Sequence, residues 1–496
     1  MISASRSGLQ RAFVVCALAC SWISPSDSIA QSTWVSDPPV ARSPLVLDAI
    51  NDPRTGKGAF FYQGSEEPPV IRMSPGQTVT ITYKNQMSLN SREVCVDGPC
   101  MNMTNLHFHG LHVSPNAPQD DAITMMAMPG QSLHYKLEIP LDQPAGLYWY
   151  HTHPHGESYQ QSLDGMSGAI VIEGIENYAP EVRGMRERIL VLRDVIIAKD
   201  DPASSELKQK VQMPAARCGS PAEQAERVFS VNGAVRPQIA IAEGEKQFWR
   251  VVNASPDLYA DLQIDSEQLD IAALDGMPLA YHNPKRHTKL VDHILVPPAG
   301  RMEAIVTGPK AGTHASLRSL CFDTGPDGDS NAAMVLADLV DHAEPETHVL
   351  KGSNHKQGTL YKPMSTRALA EFEHRKPQFV VRFTEDKNGF YINGKKYGPT
   401  DNPMTSVQVG SYRHWKVVND THEVHPFHIH QVHFLAYAQD NNPRDPEWLD
   451  TVNVPAGGSV DMIMDFTNPV IRGVSLFHCH LLKHEDKGMM AKILFK

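Results

Sequence analysis

The chain has 496 residues, a net charge of −11, 37 prolines, and 24 histidines against 7 cysteines. It is too long for one hydrophobic core and suits about three domains. Its acidic balance, with no basic run or basic–aromatic interleaving, speaks against a nucleic-acid-binding surface. At the N-terminus Arg6 and Arg11 precede an apolar run over residues 12–22, and Ser28-Ile29-Ala30 offers a small-residue cleavage site. This is the pattern of a secretory signal peptide over residues 1–30, since the apolar run is too short to span a bilayer. The expected address is therefore periplasmic or secreted, with no membrane span. No twin-arginine pair precedes the run, so export of the unfolded chain with metal loading afterwards is expected. Cys20 has Ala17 three positions upstream, where a lipidation site wants a large aliphatic residue.

Beyond the leader an internal repeat is visible. Gly76 and Asn85 bracket QTVTITYK, Gly244 and Asn253 bracket EKQFWRVV, and Gly410 and Asn419 bracket SYRHWKVV, at one common spacing. Each interval is rich in β-branched and aromatic residues behind a turn glycine, the signature of a strand. Val231-Asn232-Gly233 and Ile392-Asn393-Gly394 precede the second and third copies at similar distances. Short strands and frequent turn signals with little helical periodicity indicate an all-β, sandwich-type architecture. Three domains follow, over residues 31–180, 181–345 and 377–496, with a polar connector over 346–376. Strands are expected at 169–173, near the end of the first domain, and at 302–307 and 333–340, near the end of the second.

Chemistry concentrates in four histidine pairs, each with one residue between: His107/His109, His151/His153, His428/His430 and His478/His480. On a strand, residues i and i+2 share a face, so each pair presents two imidazoles side by side. Two pairs fall in the first domain and two in the third. In the second, the segment after Asn253 reads ASPDLYADLQID, without histidine, which makes that domain a spacer and places the cluster between the outer two. The last pair flanks Cys479, and His484 and Met489 follow. A thiolate, imidazoles and a long thioether contact are the ligands of a blue-copper electron-transfer site. His425 stands three residues before His428 as a further imidazole.

Once Cys16 and Cys20 leave with the signal, five cysteines remain, and an odd count in an exported protein flags a free thiol. Cys479 is that thiol if the other four pair as Cys95–Cys100 and Cys218–Cys321.

In order and spacing, these four segments resemble the copper-binding motifs of the multicopper oxidases, and the run HCHLLKHEDKGMM is most similar to the bacterial laccase and cuprous-oxidase branch. The likeness extends from about Pro69 to the C-terminus. It implies three consecutive cupredoxin-like Greek-key β-sandwich domains and four coppers per chain. By motif, His425, Cys479 and His484 would bind type 1 copper with Met489 axial, and His107 and His428 type 2 copper. His109, His151, His153, His430, His478 and His480 would bind the type 3 pair. Glu485 matches the position that delivers protons in bacterial relatives. Asp121 matches the acidic residue that follows HFHG, with Asp120 as a close competitor. Asp450 matches a recurrent aspartate of structural or ligand-supporting role.

The resemblance implies O2 as electron acceptor and a small reductant: a phenol, an aromatic amine or Cu(I). A laccase-like oxidase is the leading expectation and a cuprous oxidase in copper tolerance the alternative. The latter usually carries a methionine-rich insert in the third domain, whereas this chain has only Met364 in its connector and Thr421-His422-Glu423-Val424 before His425. A copper-sequestering protein without turnover is a further alternative, set against by the full complement of ligand positions; a two-domain nitrite reductase would not need four histidine pairs. His112, His134, His155, His422 and His433 fall off the ligand spacing and are expected on the surface or in packing. Met101, Met103, Met125, Met126 and Met128 are read as core filler rather than as a soft-metal site.

Overall fold

Each copy of the repeat folds as a strand inside a sheet: Thr78–Asn85, Lys246–Asn253 and Ser411–Asn419. A computed structural model describes Met1 and residues 34–89, 93–96, 98–196, 227–329, 331–342 and 375–496, with the short pieces 216–217, 220–221, 349–350 and 371–372. Nearly all of the expected signal segment, and most of the connector, lie outside the described residues.

Three two-sheet sandwiches follow one another along the chain. In the first, one sheet has the order Gly58–Phe61, Leu45–Asn51, Thr78–Asn85, Ser132–Glu138, and the other Val40–Ala41, Val70–Met73, Ser167–Ile172, Gly146–His151, His107–His109. In the third, the facing sheet runs Thr405–Val407, Met490–Phe495, Gly473–Cys479, His425–Ile429, Thr451–Val454. The second sandwich repeats the plan with Gln238–Ala240, Met334–Val340, Ala315–Leu320, Ala260–Ile264 and Ile294–Val296. Its Ala260–Ile264 strand stands where the other two carry histidines. The strands foreseen at 169–173, 302–307 and 333–340 are present as Ser167–Ile172, Arg301–Thr307 and Met334–Val340.

The repeated asparagines explain themselves once the strands are placed. Asn85, Asn253 and Asn419 are buried at the strand ends. Each accepts a bond from the backbone N–H two residues on, at Met87, Ser255 and Thr421. Each Nδ2 donates to further backbone carbonyls: Asn102 and Ala127, Leu258 and Val296, Glu423 and Val454. A buried amide that closes a turn and satisfies distant carbonyls is worth keeping at the same place in every copy. Asn232-Gly233 and Asn393-Gly394 form two-residue turns with both φ positive, the conformation that Asn-Gly favours. Gln63-Gly64 takes the same turn in the first sandwich.

Each sandwich has its own apolar core. The first and second domains join through Val70, Leu147, Trp149 and Val171 against Ile189, Val191 and Val252. A buried ionic network runs beside this patch: Arg72 bonds Glu173 and Glu187, and Arg250 bonds Glu187 and Glu303. The second and third domains meet at Met277 and Tyr281 against Leu435, Trp448 and Ile463. Cys95 and Cys100 form a disulfide, with Cα atoms 5.0 Å apart. Cys479 is the free cysteine among the described residues. Cys321 is disulfide-bonded, while Cys218, its expected partner, lies outside the described residues.

The methionine expectation needs correction. Met101 is 57% exposed, and Met103, Met126 and Met128 are half-buried at the surface of the first domain. Of the five, only Met125 packs against the core. For three of them the reason is local: Met103, Met126 and Met128 adjoin Thr104 and Ala127, whose own side chains are buried at an isolated bridge.

Candidate metal centre

Strand pairing sets the histidines face to face. In the first domain His107 lies opposite His151 and His109 opposite Trp149. In the third His428 lies opposite His478 and Phe427 opposite Cys479. The two histidine-bearing sheets meet, so that His107 stacks on His430 at 3.7 Å between ring centroids and His109 on His428 at 3.8 Å. All eight paired histidines are buried.

Their nitrogens converge in distinct groups. His109, His151 and His480 form one trio, and His153, His430 and His478 another; His107, His109 and His428 meet at a third point. Within each group the ligand atoms lie within 4.8 Å of one another. The ring nitrogens His107 Nε2, His109 Nδ1, His151 Nε2, His428 Nε2 and both of His480 are buried without a hydrogen-bond partner. One such buried polar atom costs about 1–3 kcal/mol; one His480 nitrogen carries that ring's proton, and the lone pairs that converge on common centres are satisfied when cations take them. Burial, reinforced by neighbouring rings, holds His109, His151, His153, His428, His430 and His480 far below the ordinary imidazole range. Burial takes His478 to about 3. At neutral pH these rings are uncharged, as metal binding requires.

A separate site stands on the other face of the Gly473–Cys479 strand. Cys479 Sγ is 3.3 Å from His425 Nδ1, and His484 Nδ1 is 3.4 Å from that same nitrogen. Met489 is buried in the same core cluster as Cys479; its carbonyl accepts from Cys479 N and its N–H donates to His484 O. Burial pushes the Cys479 thiol up, so a metal must displace its proton. Because alternate residues face opposite ways, His478 and His480 point into two different trios while Cys479 points into this site.

The resemblance pointed to Asp121 or Asp120, Asp450 and Glu485 behind these histidines, and the structure shows what each of them touches. Asp120 touches His107 Nδ1 at 3.0–3.1 Å and also accepts from Phe108 N and Gln431 Nε2. Asp121, the residue first singled out, instead accepts from Ile123 N, Thr124 N and the Thr124 hydroxyl. It caps its own turn, whereas its neighbour Asp120 is the one that touches His107. Asp450 accepts from His109 Nε2 at 3.1 Å, and its carbonyl accepts from His428 Nδ1 at 2.8 Å. Glu485, wholly buried, places its oxygens 3.5 Å from His153 Nε2 and 3.1 Å from His478 Nδ1. Burial, then the charge of Asp486, drives its carboxyl well above the usual range. Thr421 Oγ1 lies 2.8 Å from His425 Nε2, and Glu423, pushed up to about 9 by burial, lies 3.6 Å from His484 Nε2. No spacing rule could have picked out Thr421 or Glu423.

Of the histidines set aside, His422 is exposed beside Asp327. His112 and His433 are buried and hydrogen-bonded to each other at 2.7 Å.

Three β-sandwiches enclosing an imidazole array, with a separate site of one cysteine and two histidines wired to it, define a redox metalloprotein, and this donor set with a nearby thioether selects copper. The chain belongs to the multicopper oxidase family: family profiles described as multicopper oxidase match residues 49–177 and 370–496. It is a copper-dependent oxidoreductase. It is 25% identical over 442 residues to the multicopper oxidase mco of Staphylococcus haemolyticus, covering 87% of this chain and 83% of that one. It is 26% identical over 473 residues to a laccase of Haloferax volcanii, covering 86% and 76%. In fold it is similar to a Campylobacter jejuni multicopper oxidase, described as a metallo-oxidase, with a TM-score of 0.68 and 22% identity over 94% and 96% of the two chains. The sandwiches are therefore of the cupredoxin type, in three consecutive domains.

Proposed function

We propose that this protein is an exported laccase-like oxidase that takes single electrons from phenols or aromatic amines and passes them to O2. Copper bound at these positions, four per chain, supplies one-electron uptake at the cysteine site and four-electron reduction of O2 to water at the histidine cluster. His425, Cys479 and His484 would hold the entry copper, with Met489 as a further, weak donor. His107 and His428 would hold the type 2 copper; His109, His151 and His480 would hold one type 3 copper, and His153, His430 and His478 the other. The observation that carries this is the His478-Cys479-His480 tripeptide, whose three side chains enter three different donor groups.

His484 is 8% exposed whereas His425, Cys479 and Met489 are at 0%, so a reductant meets the site at the His484 edge, beside Phe390, which stacks on that ring at 3.8 Å. Glu485 holds a proton next to His153 and His478 and gives it up during O2 reduction; a buried carboxyl is suited to this because desolvation brings its pKa toward neutrality or above. Asp120 has the matching place beside His107. Export is supported by the N-terminal pattern and by the Cys95–Cys100 disulfide, a bond that persists in oxidising compartments. Among the described residues no helix is long and apolar enough to cross a membrane.

A cuprous-oxidase role draws support from the methionines that stand off the core at the first domain's surface. Side-by-side turnover of a phenol and of Cu(I) by the copper-loaded chain separates the two. Faster oxidation of the phenol is expected; efficient turnover of Cu(I) with little or none of phenols and aromatic amines would replace the laccase reading with the cuprous one.

A further inference from the structure

We infer that the middle domain, which supplies none of the ligands, takes part in the metal centre through Arg301, a positioning residue that orients Asp450 and through it the ring of His109. The inference rests on His109 being a copper ligand. Three domains meet at this point: Arg301 comes from the second, Asp450 from the third and His109 from the first. All three side chains are buried, at 0–1% exposure.

The Arg301 guanidinium grips Asp450 as a fork, Nη1 to Oδ1 at 2.8 Å and Nη2 to Oδ2 at 2.5 Å. Paired bonds of this kind fix the plane of a carboxylate as well as its position. Oδ1 also accepts from the Thr451 hydroxyl at 2.9 Å and faces His109 Nε2 at 3.1 Å. A carboxylate can only accept, so His109 carries its proton on Nε2. That leaves Nδ1, which is buried with no hydrogen-bond partner, as a lone pair aimed at the cluster. The orientation of the ligand is thus set two residues back, from a different domain.

Arg301 is itself held on every side. Its Nε donates to the Leu147 carbonyl at 3.3 Å and its Nη1 to the Ala299 carbonyl at 3.0 Å. Asp275, also in the second domain, accepts from Arg301 N at 2.9 Å, and its other oxygen accepts from the backbone of Asp450 and Thr451, both at 3.2 Å. Through the Asp450 carbonyl this anchorage extends to His428. A second, independent sign is Gly110, directly after His109. A Cβ there would stand 2.5 Å from Asp450 Oδ2 and 2.8 Å from Arg301 Nη2, and its φ of +85° also disfavours a side chain. The glycine keeps open the space in which the arginine–carboxylate pair sits.

The test uses the full chain, with Arg301→Met, which keeps much of the side chain's reach but removes its N–H groups and charge. Arg301→Lys retains charge and offers at most part of the fork, and His109→Ala is the control for the ligand itself. Each is loaded with copper, and copper per chain, copper EPR and retention against a chelator are measured. The absorption of the cysteine site serves as internal reference and the unfolding midpoint of the metal-free protein as a measure of structure. Arg301→Met is expected to keep the blue absorption while the histidine cluster holds copper about 10- to 100-fold more weakly, the usual cost of losing a ligand's supporting partner. Arg301→Lys is expected to fall between it and the parent. Wild-type retention and EPR in Arg301→Met would overturn the inference. So would loss of copper from both sites in step with a lowered metal-free midpoint, which marks a purely structural role. If His109→Ala also retained full copper, the ligand assignment itself would fail; copper loss in His109→Ala alone would sink only the role of Arg301.

Discussion

At the scale of single residues, metal ligands and their supporting groups differ in how far the sequence reveals them. The ligands announce themselves because two imidazoles on one strand face need a spacing of two, and a thiolate between two such imidazoles is a rare string. Their partners have no such rule. Asp450 reaches His109 across 341 positions of chain, and Asp120 and Asp121 are neighbours whose roles are decided by which carboxylate the following turn consumes. Glu485 lies between, since its place in the last motif pointed to it and its contacts with His153 and His478 give that place a physical meaning. Glu485→Gln keeps size and polarity but cannot ionise. Stopped-flow measurement should show the blue colour bleaching by reductant at nearly the parent rate and returning on mixing with O2 several-fold more slowly or worse. Slow bleaching with normal return would place Glu485 on the reductant side instead.

At the scale of elements, the repeated strands were legible because each copy carries its turn glycine and its terminal asparagine. The first domain's version of the Asn-Gly turn was not, because Gln63 replaces the asparagine while keeping the backbone conformation. The contact between the loop after His109 and the loop after His430 was likewise invisible: it depends on two histidines in different domains. His433 Nε2 faces the Asp275 carbonyl at 2.8 Å and must donate, so its Nδ1 accepts and His112 Nε2 donates across 2.7 Å. Burial first, then the charge of His433, holds His112 at about 3, against an ordinary value near 6.5. The folded protein therefore leaves this ring neutral where the unfolded chain would take up a proton. Its stability contribution is complete above about pH 6.5 and is lost as the pH falls toward 3, at most about 1.4 kcal/mol per pH unit. His112→Gln should make the fall of the unfolding midpoint between pH 6.5 and 4 shallower than in the parent. An unchanged slope would mean that His112 takes its proton without unfolding.

At the scale of the whole molecule, the absence of histidine after Asn253 made the middle domain look like a spacer. It does pack against both outer domains, on the first through the apolar patch around Trp149 and the buried Arg72–Glu187–Arg250–Glu303 network, and on the third through Met277 and Tyr281. Its Arg301 and Asp275, however, reach the rear of the metal centre, a contact that only the assembled sandwiches create. In the proposed function electrons pass from a site in one domain to a cluster shared by two, and Cys479 with its flanking histidines is the link between them. The central claim is therefore tested by copper stoichiometry and visible absorption of Cys479→Ser beside the parent. The parent is expected to be blue with about four coppers per chain, as the family implies. Cys479→Ser is expected to lose the thiolate-to-copper absorption and oxidation of reductants while keeping the copper of the histidine cluster. A Cys479→Ser protein that stays blue would contradict the account.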